Sequence, residues 1–183
     1  MTLCAVTQLA GADWGADNTI VYGQYPGDIM RISANGGGTP ESVVKQKPGS
    51  LALVISQILP DGKSLLYTDY ASSSQMRIMV KPPKSGEPKE LFVGAGAAYL
   101  PTGHLIYMLP NNNLFAIPFD LDRLEVKGGA VPVVEGVSKV AISNAGTLVY
   151  TPPRPISSAA RPKRTLVWVN RQGKEEPISA VSR

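Results

Sequence analysis

Four tyrosines recur at one point of a repeated pattern, and this constrains the fold more than anything else in the chain. Tyr22, Tyr67, Tyr107 and Tyr150 are separated by 45, 40 and 43 residues. Each follows two aliphatic residues: Ile20-Val21, Leu65-Leu66, Leu105-Ile106 and Leu148-Val149. Each pair follows turn-forming residues: Asp17-Asn18, Asp61-Gly62, Thr102-Gly103 and Ala145-Gly146. The clearest copy is residues 98–107 (AYLPTGHLIY) with residues 111–122 (NNNLFAIPFDLD), which reads as a hairpin with a third strand added. Strand–turn–strand grammar at this period predicts an all-β chain built as the blades of a β-propeller.

The pattern divides the 183 residues into one domain of four repeats, at about 1–45, 46–93, 94–137 and 138–183. Each is expected to form a blade of four antiparallel strands. Residues 3–9 are predicted as the inner strand of the first repeat, with a turn region over 13–18. Residues 51–59 form a near-continuous apolar run, interrupted by Ser56 and Gln57. Such a run suits an inner strand buried on both faces. Pro60-Asp61-Gly62 is a turn with a mechanism: Pro presets φ, Asp caps and Gly takes the left-handed position. Residues 97–100, 104–108, 114–119 and 131–134 supply the third repeat, with a longer excursion over 120–127. In the fourth, residues 139–143 and 147–150 are strands, and 165–170 and 175–178 are two more. Between them, residues 151–164 (TPPRPISSAARPKR) are rich in Pro, Ser and Arg, without periodicity, and are expected to be a mobile, solvent-exposed excursion. No stretch carries a helical pattern of more than two turns.

Composition agrees with a folded, turn-rich chain. Hydrophobic residues make 43% and charged residues 17%, with 18 Gly and 16 Pro. The net charge of +4 is spread along the chain, so nucleic acid is only weakly indicated as a partner. The single cysteine, Cys4, excludes an intrachain disulfide and reads as a small buried residue of the first strand. The N-terminal residues lack the basic and apolar regions of a signal peptide, and no apolar run is long enough to span a bilayer.

The segments ILPDGKSLLY, YLPTGHLIY, NNNLFAIPFDLDRLEV, AISNAGTLVY and TLVWVNRQGKEEPI resemble the TolB-like, WD-repeat-like propeller of bacterial proteins. They are especially similar to the sensor-like region that follows the kinase domain in many bacterial serine/threonine kinases. The resemblance covers nearly the whole chain and rests on turn and packing residues. It implies a propeller scaffold for protein or ligand contacts, commonly outside the cytoplasm. The family pattern uses more blades than the four repeats counted here, so the chain resembles part of a larger propeller or a short relative. Kinase signatures, a Gly-rich phosphate loop and an HRD-type catalytic loop, are absent from the sequence.

Residues that could carry chemistry are few. His104, the only histidine, follows turn residue Gly103 and has no second metal ligand or adjacent carboxylate in sequence, so it reads first as structural. No G-x-S-x-G elbow occurs. Asp120, Asp122 and Glu125 could collect a cation, but lack the glycine and distal glutamate of a calcium loop, and read as a solvated turn. Asn35-Gly36-Gly37-Gly38 lacks the ending of a phosphate loop and reads as a reversal. The one charge cluster is Arg154, Arg161, Lys163 and Arg164, with Arg171 and Lys174 beyond. It could meet phosphate or an acidic partner, or be a solvated loop.

The expectation is therefore a non-enzymatic scaffold for a protein or small ligand, with no cofactor or metal and with His104, Arg161, Lys163 and Arg164 as candidate ligand contacts. The alternative is a hydrolase or hydrolase-associated propeller of esterase or peptidase type. Four blades without an evident closing strand would leave the faces of the first and fourth exposed, which predicts self-association through the terminal blades.

Overall fold

A computed structural model describes residues 2–72, 75–83, 86–143, 146–152, 167–169 and 174–177. All regular structure among them is β, and all strand pairing is antiparallel. The first sheet is β1 (Leu9–Trp14), β2 (Thr19–Gln24), β3 (Ile29–Ser33) and β4 (Glu41–Val44), side by side in chain order. The second repeats that order with β5 (Ala52–Ile58), β6 (Leu65–Tyr70), β7 (Met76–Lys81) and β8 (Lys89–Val93). The third comprises β9 (Ala95–Leu100), β10 (His104–Met108) and β11 (Leu114–Asp120), with a divided outer strand. The far end of β11 turns back on β12 (Glu125–Val126), and its near end pairs with β13 (Val131–Val134).

Among its described residues, the fourth repeat shows two ribbons in place of the expected four-stranded blade. β14 (Lys139–Ile142) pairs with β15 (Leu148–Thr151), and β16 (Val167–Val169) pairs with β17 (Glu175–Pro177), as two separate ribbons. The excursion predicted over 151–164 lies outside the described residues except for Thr151 and Pro152.

The first inner strand also needs correction. It runs from Leu9 to Trp14, not over residues 3–9. Gly11 looks like a strand breaker in sequence but adopts φ +77 inside a bulge, and its backbone lies against the Ile55 carbonyl of the next sheet. A Cβ there would stand 2.3 Å from that oxygen, so the position requires glycine. Residues 2–8 instead run outside any strand. Gln8 accepts a hydrogen bond from the Tyr25 N–H at 2.9 Å, and Cys4, half-buried rather than in a strand, donates its thiol to the Tyr22 hydroxyl at 3.3 Å. Burial and the neighbouring Cys4 push the Tyr22 phenol up to about 12.

The repeated turn is one structure used four times. The carbonyls of Gly15, Leu59, Leu100 and Ser143 accept the N–H of Asn18, Gly62, Gly103 and Gly146, at 3.1, 2.8, 2.9 and 2.9 Å. The donors have φ of 60, 69, 77 and 82. That left-handed step is why Gly or Asn stands there. In the second copy the Asp61 carboxylate accepts the N–H groups of Lys63 and Ser64 and the Ser64 hydroxyl, which leaves buried Ser64 satisfied.

After the turn, strand alternation assigns the faces. In the second sheet Leu65 and Tyr67 face the first sheet, joining Val21, Ile29, Val44, Leu53 and Ile55 in one core. Leu66 points the other way, into a core with Ile78, Val80, Leu105 and Tyr107. In the third, Leu105 and Tyr107 face backward while Ile106 faces forward, against Leu114, Val137, Val140 and Leu148. The tyrosine of each repeat thus lies in the second strand, with Tyr67 and Tyr107 on the side of the preceding sheet and Tyr22 on the face toward Cys4. Tyr22, Tyr67 and Tyr107 are 4, 3 and 6% exposed, but Tyr150 is 38% exposed.

Candidate functional site

The sheets are joined by side chains that cross from one inner strand to the next. Asp13 Oδ2 accepts the Ile58 N–H at 2.6 Å, and Gln57 Oε1 accepts the Tyr99 N–H at 2.8 Å. Asp13 and Gln57 each stand two residues before the first residue of their turn, and Ile58 and Tyr99 one residue before theirs. The same strut is therefore built twice from different residue types. Thr68 adds a third tie by accepting the Gly96 N–H at 3.1 Å. Among the clefts between the first and second sheets, two adjoin each other.

The smaller cleft, about 290 Å³, is lined by Thr19, Arg31, Ser42, Lys63 and Lys81 among others. Arg31 is held by Asp17 at 2.6 Å, and the hydroxyl of Thr19 with this arginine keeps the Asp17 carboxyl below its ordinary value. The larger cleft, about 360 Å³, shares Ser42, Val43 and Lys81 with the first. Its rim carries Lys45, Lys47, Asp69 and Glu87, and its wall is Leu53, Tyr67 and Met79. The linker bearing the two lysines is anchored at several points. Asp28 accepts the Ser42 hydroxyl at 2.6 Å and the Gln46 N–H at 2.8 Å, and Gln46 Nε2 donates to the Ser50 carbonyl. The Ser50 hydroxyl donates to Asp69 at 2.6 Å. Burial first, then the charges of Asp69 and Glu87, push the Tyr67 phenol well above its ordinary range.

Of the sequence-predicted contacts, only His104 is described. It opens β10, half-buried, with Nδ1 3.0 Å from the Thr102 carbonyl and 3.2 Å from its hydroxyl. Its ring serves the turn and lines neither inter-sheet cleft. Arg154, Arg161, Lys163, Arg164 and Arg171 lie outside the described residues, and Lys174 is exposed. Asp120 caps its own turn, accepting the N–H groups of Asp122 and Arg123, and binds Lys127 at 2.7 Å. That lysine, first of several partners, draws the Asp120 carboxyl below its usual value. Among the described residues, no three of His, Cys, Asp and Glu are grouped to hold a metal ion, and no helix is long and apolar enough to cross a membrane.

The inter-sheet clefts were not legible in the sequence, because their lining comes from strands of two different repeats. A signal was present: Gln57 interrupts an apolar run at the register where Asp13 stands one repeat earlier. No protein-family model matches the chain, and no curated protein matches it.

Proposed function

We propose that the chain is a non-enzymatic scaffold of β-propeller type, TolB-like and WD-repeat-like, that offers its inter-sheet clefts to a protein or small-molecule ligand. The supporting observation is the recurrent joint. One turn, one backward-facing tyrosine and one side-chain strut stack successive sheets face to face, as blades stack in a propeller. The resemblance to the region following bacterial kinase domains suggests a sensor role, with placement outside the cytoplasm. His104 is engaged by its own turn and meets no carboxylate within salt-bridge distance among the described residues, which favours binding over acyl-transfer chemistry.

A turnover assay tests this reading. p-Nitrophenyl acetate and a mixed peptide substrate should show no saturable hydrolysis above that of a His104→Ala variant. Saturable, His104-dependent turnover would overturn the scaffold reading in favour of a hydrolase.

Self-association belongs to the same proposal. Residues 2–8 lie over the outer face of the first sheet, where Tyr22 and Ile32 are each 4% exposed, whereas Tyr150 of the fourth repeat is 38% exposed. Pairing of two chains is therefore proposed through the fourth-repeat end. Light scattering at micromolar concentration should give about twice the 19.4 kDa of one chain. A stable monomer would refute it.

A further inference from the structure

Asn35 opens the glycine run that joins β3 to β4, a reversal that lines neither inter-sheet cleft. It is the one asparagine of the chain followed by glycine. That pair has a specific weakness, which places asparagine among the thermolabile residues. The next backbone nitrogen can attack the side-chain carbonyl carbon and close a cyclic imide, because glycine has no Cβ to obstruct the approach.

The fold leaves the pair open. Asn35 is exposed, Gly36 and Gly37 have φ of 82 and 72, and a Cβ on Gly37 would meet nothing within 4 Å. The nitrogen that would attack is loosely held, since the Gly36 N–H donates to the Ser33 carbonyl at 3.4 Å. The carbonyl under attack is engaged more closely. Asn35 Oδ1 accepts Asn18 Nδ2 at 2.6 Å, and the Ala34 N–H fixes Asn18 in turn by donating to its carbonyl at 2.9 Å. A donor already aimed at an oxygen that gains negative charge stabilises the intermediate of such an attack.

The same hydrogen bond carries the consequence. Asn18 Oδ1 accepts the indole N–H of Trp14 at 3.1 Å, so Trp14, Asn18 and Asn35 form one chain of side-chain hydrogen bonds. Trp14 is 64% exposed, the most exposed large hydrophobic side chain among the described residues. An indole tied at its N–H presents its apolar body in one orientation.

We propose that Asn35 is a self-modification site whose conversion releases Trp14. The Gly36 nitrogen bonds to Asn35 Cγ, the Cγ–Nδ2 bond breaks, and Nδ2 leaves as ammonia with the proton from Gly36. Water then opens the imide. Attack at Cγ gives aspartate, and attack at the main-chain carbonyl carbon gives isoaspartate, whose backbone runs through the former side chain. One water is consumed and one ammonia released, with no oxidant or reductant. In isoaspartate the backbone is longer by Cβ and the acceptor that held Asn18 is displaced.

The test is incubation of the whole chain at mildly alkaline pH, followed by peptide mapping. Asn35 should gain about 1 Da, chiefly as isoaspartate, at least about tenfold faster than Asn18, Asn111, Asn112 or Asn113. Gly36→Ala should slow the gain at least about tenfold, because a side chain then stands beside the attacking nitrogen. That variant strains a left-handed position, so Asn35→Gln, which leaves the backbone untouched, is the second control and should show no gain at this site. In the converted chain the Trp14 indole N–H resonance, assigned with Trp14→Phe, should shift and exchange faster with solvent. If Asn35 stays intact in the folded chain while the same chain unfolded in urea converts, the fold protects the pair and the proposal fails. Earlier conversion of another asparagine would also overturn it, as would an unmoved Trp14 resonance in the converted chain.

Discussion

The joints between the first three sheets and the joint to the fourth repeat are written with the same turn and the same tyrosine, yet they are built differently. At the first two joints a side chain bridges neighbouring inner strands, from Asp13 to the Ile58 N–H and from Gln57 to the Tyr99 N–H. At the third, the equivalent position is Ala98, which has no acceptor to offer. Inner-strand pairing carries a bulge in each of the first three sheets, whereas β14 and β15 pair without one. Among the described residues, ten buried side chains form the cluster between the second and third sheets and three form the cluster that reaches the fourth repeat. The turn and the tyrosine therefore set where strands lie, and the strut and the core set how firmly one sheet holds the next.

The largest expected contrast lies in the core. Leu105 is 0% exposed within the second joint, and Leu105→Ala should cost about 2–5 kcal/mol. Leu148 holds the corresponding strand position at the third joint but is only half-buried, so Leu148→Ala should cost under about 2 kcal/mol, at the shallow end of such truncations. Thermal unfolding measures both, at about 2–4 °C per kcal/mol for a chain of this size. Equal losses would break the comparison.

Next come the struts. Asp13→Ala or Gln57→Ala leaves a backbone N–H between sheets without its acceptor, and each should cost about 1–3 kcal/mol. Amide exchange at Ile58 or Tyr99 should rise in the matching variant only. If exchange accelerates equally at both sites in either variant, the struts are not separate ties. Ala98→Gln sharpens the same point from the other side. It supplies the missing acceptor and should raise the melting temperature by up to about 1 kcal/mol equivalent. A loss of stability would mean that the third joint lacks the spacing for a strut.

The smallest effect is in the turns. Burial opposes ionisation of Asp61, but the Ser64 hydroxyl and the N–H groups of Lys63 and Ser64 outweigh it and hold the carboxyl below its ordinary 3.8. The folded-state value is lowered, so the carboxylate stabilises the fold above pH 3.8, and that contribution disappears as the pH falls through the lower folded value. Asp61→Asn should lose that small contribution at pH 7 and converge on the parent chain at low pH, so its acid limb should be slightly less steep. The turn at Leu100 to Gly103 has no carboxylate, so replacing Thr102 by Ala should leave the acid limb unchanged. A steeper acid limb in Asp61→Asn would reverse the sign argued here.

The strands of the third repeat were legible because their cues are local. His104 to Met108 and Val131 to Val134 fall where alternation and turn residues put them. The first inner strand was not, because Gly11 breaks the alternation that a reader follows. Its reason for being glycine is the carbonyl of Ile55, 44 positions away in the chain. His104 drew notice as the only histidine, but its ring is committed to Thr102. Tyr67 was legible as a repeat residue but not as a lining residue of a cleft, since that depends on what folds over it.

Local chemistry written in the sequence determined the four turns, the antiparallel strand order and the side on which each tyrosine lies. Those features need only a left-handed residue at the turn and a period of two along the strand. Tertiary structure alone decided which polar side chains became struts, how the described strands of the fourth repeat pair as two ribbons, and which lysines border the clefts between the first and second sheets. Each of those outcomes joins residues from different repeats. The contact energy between such residues is set by spacing across a joint, which no single repeat encodes.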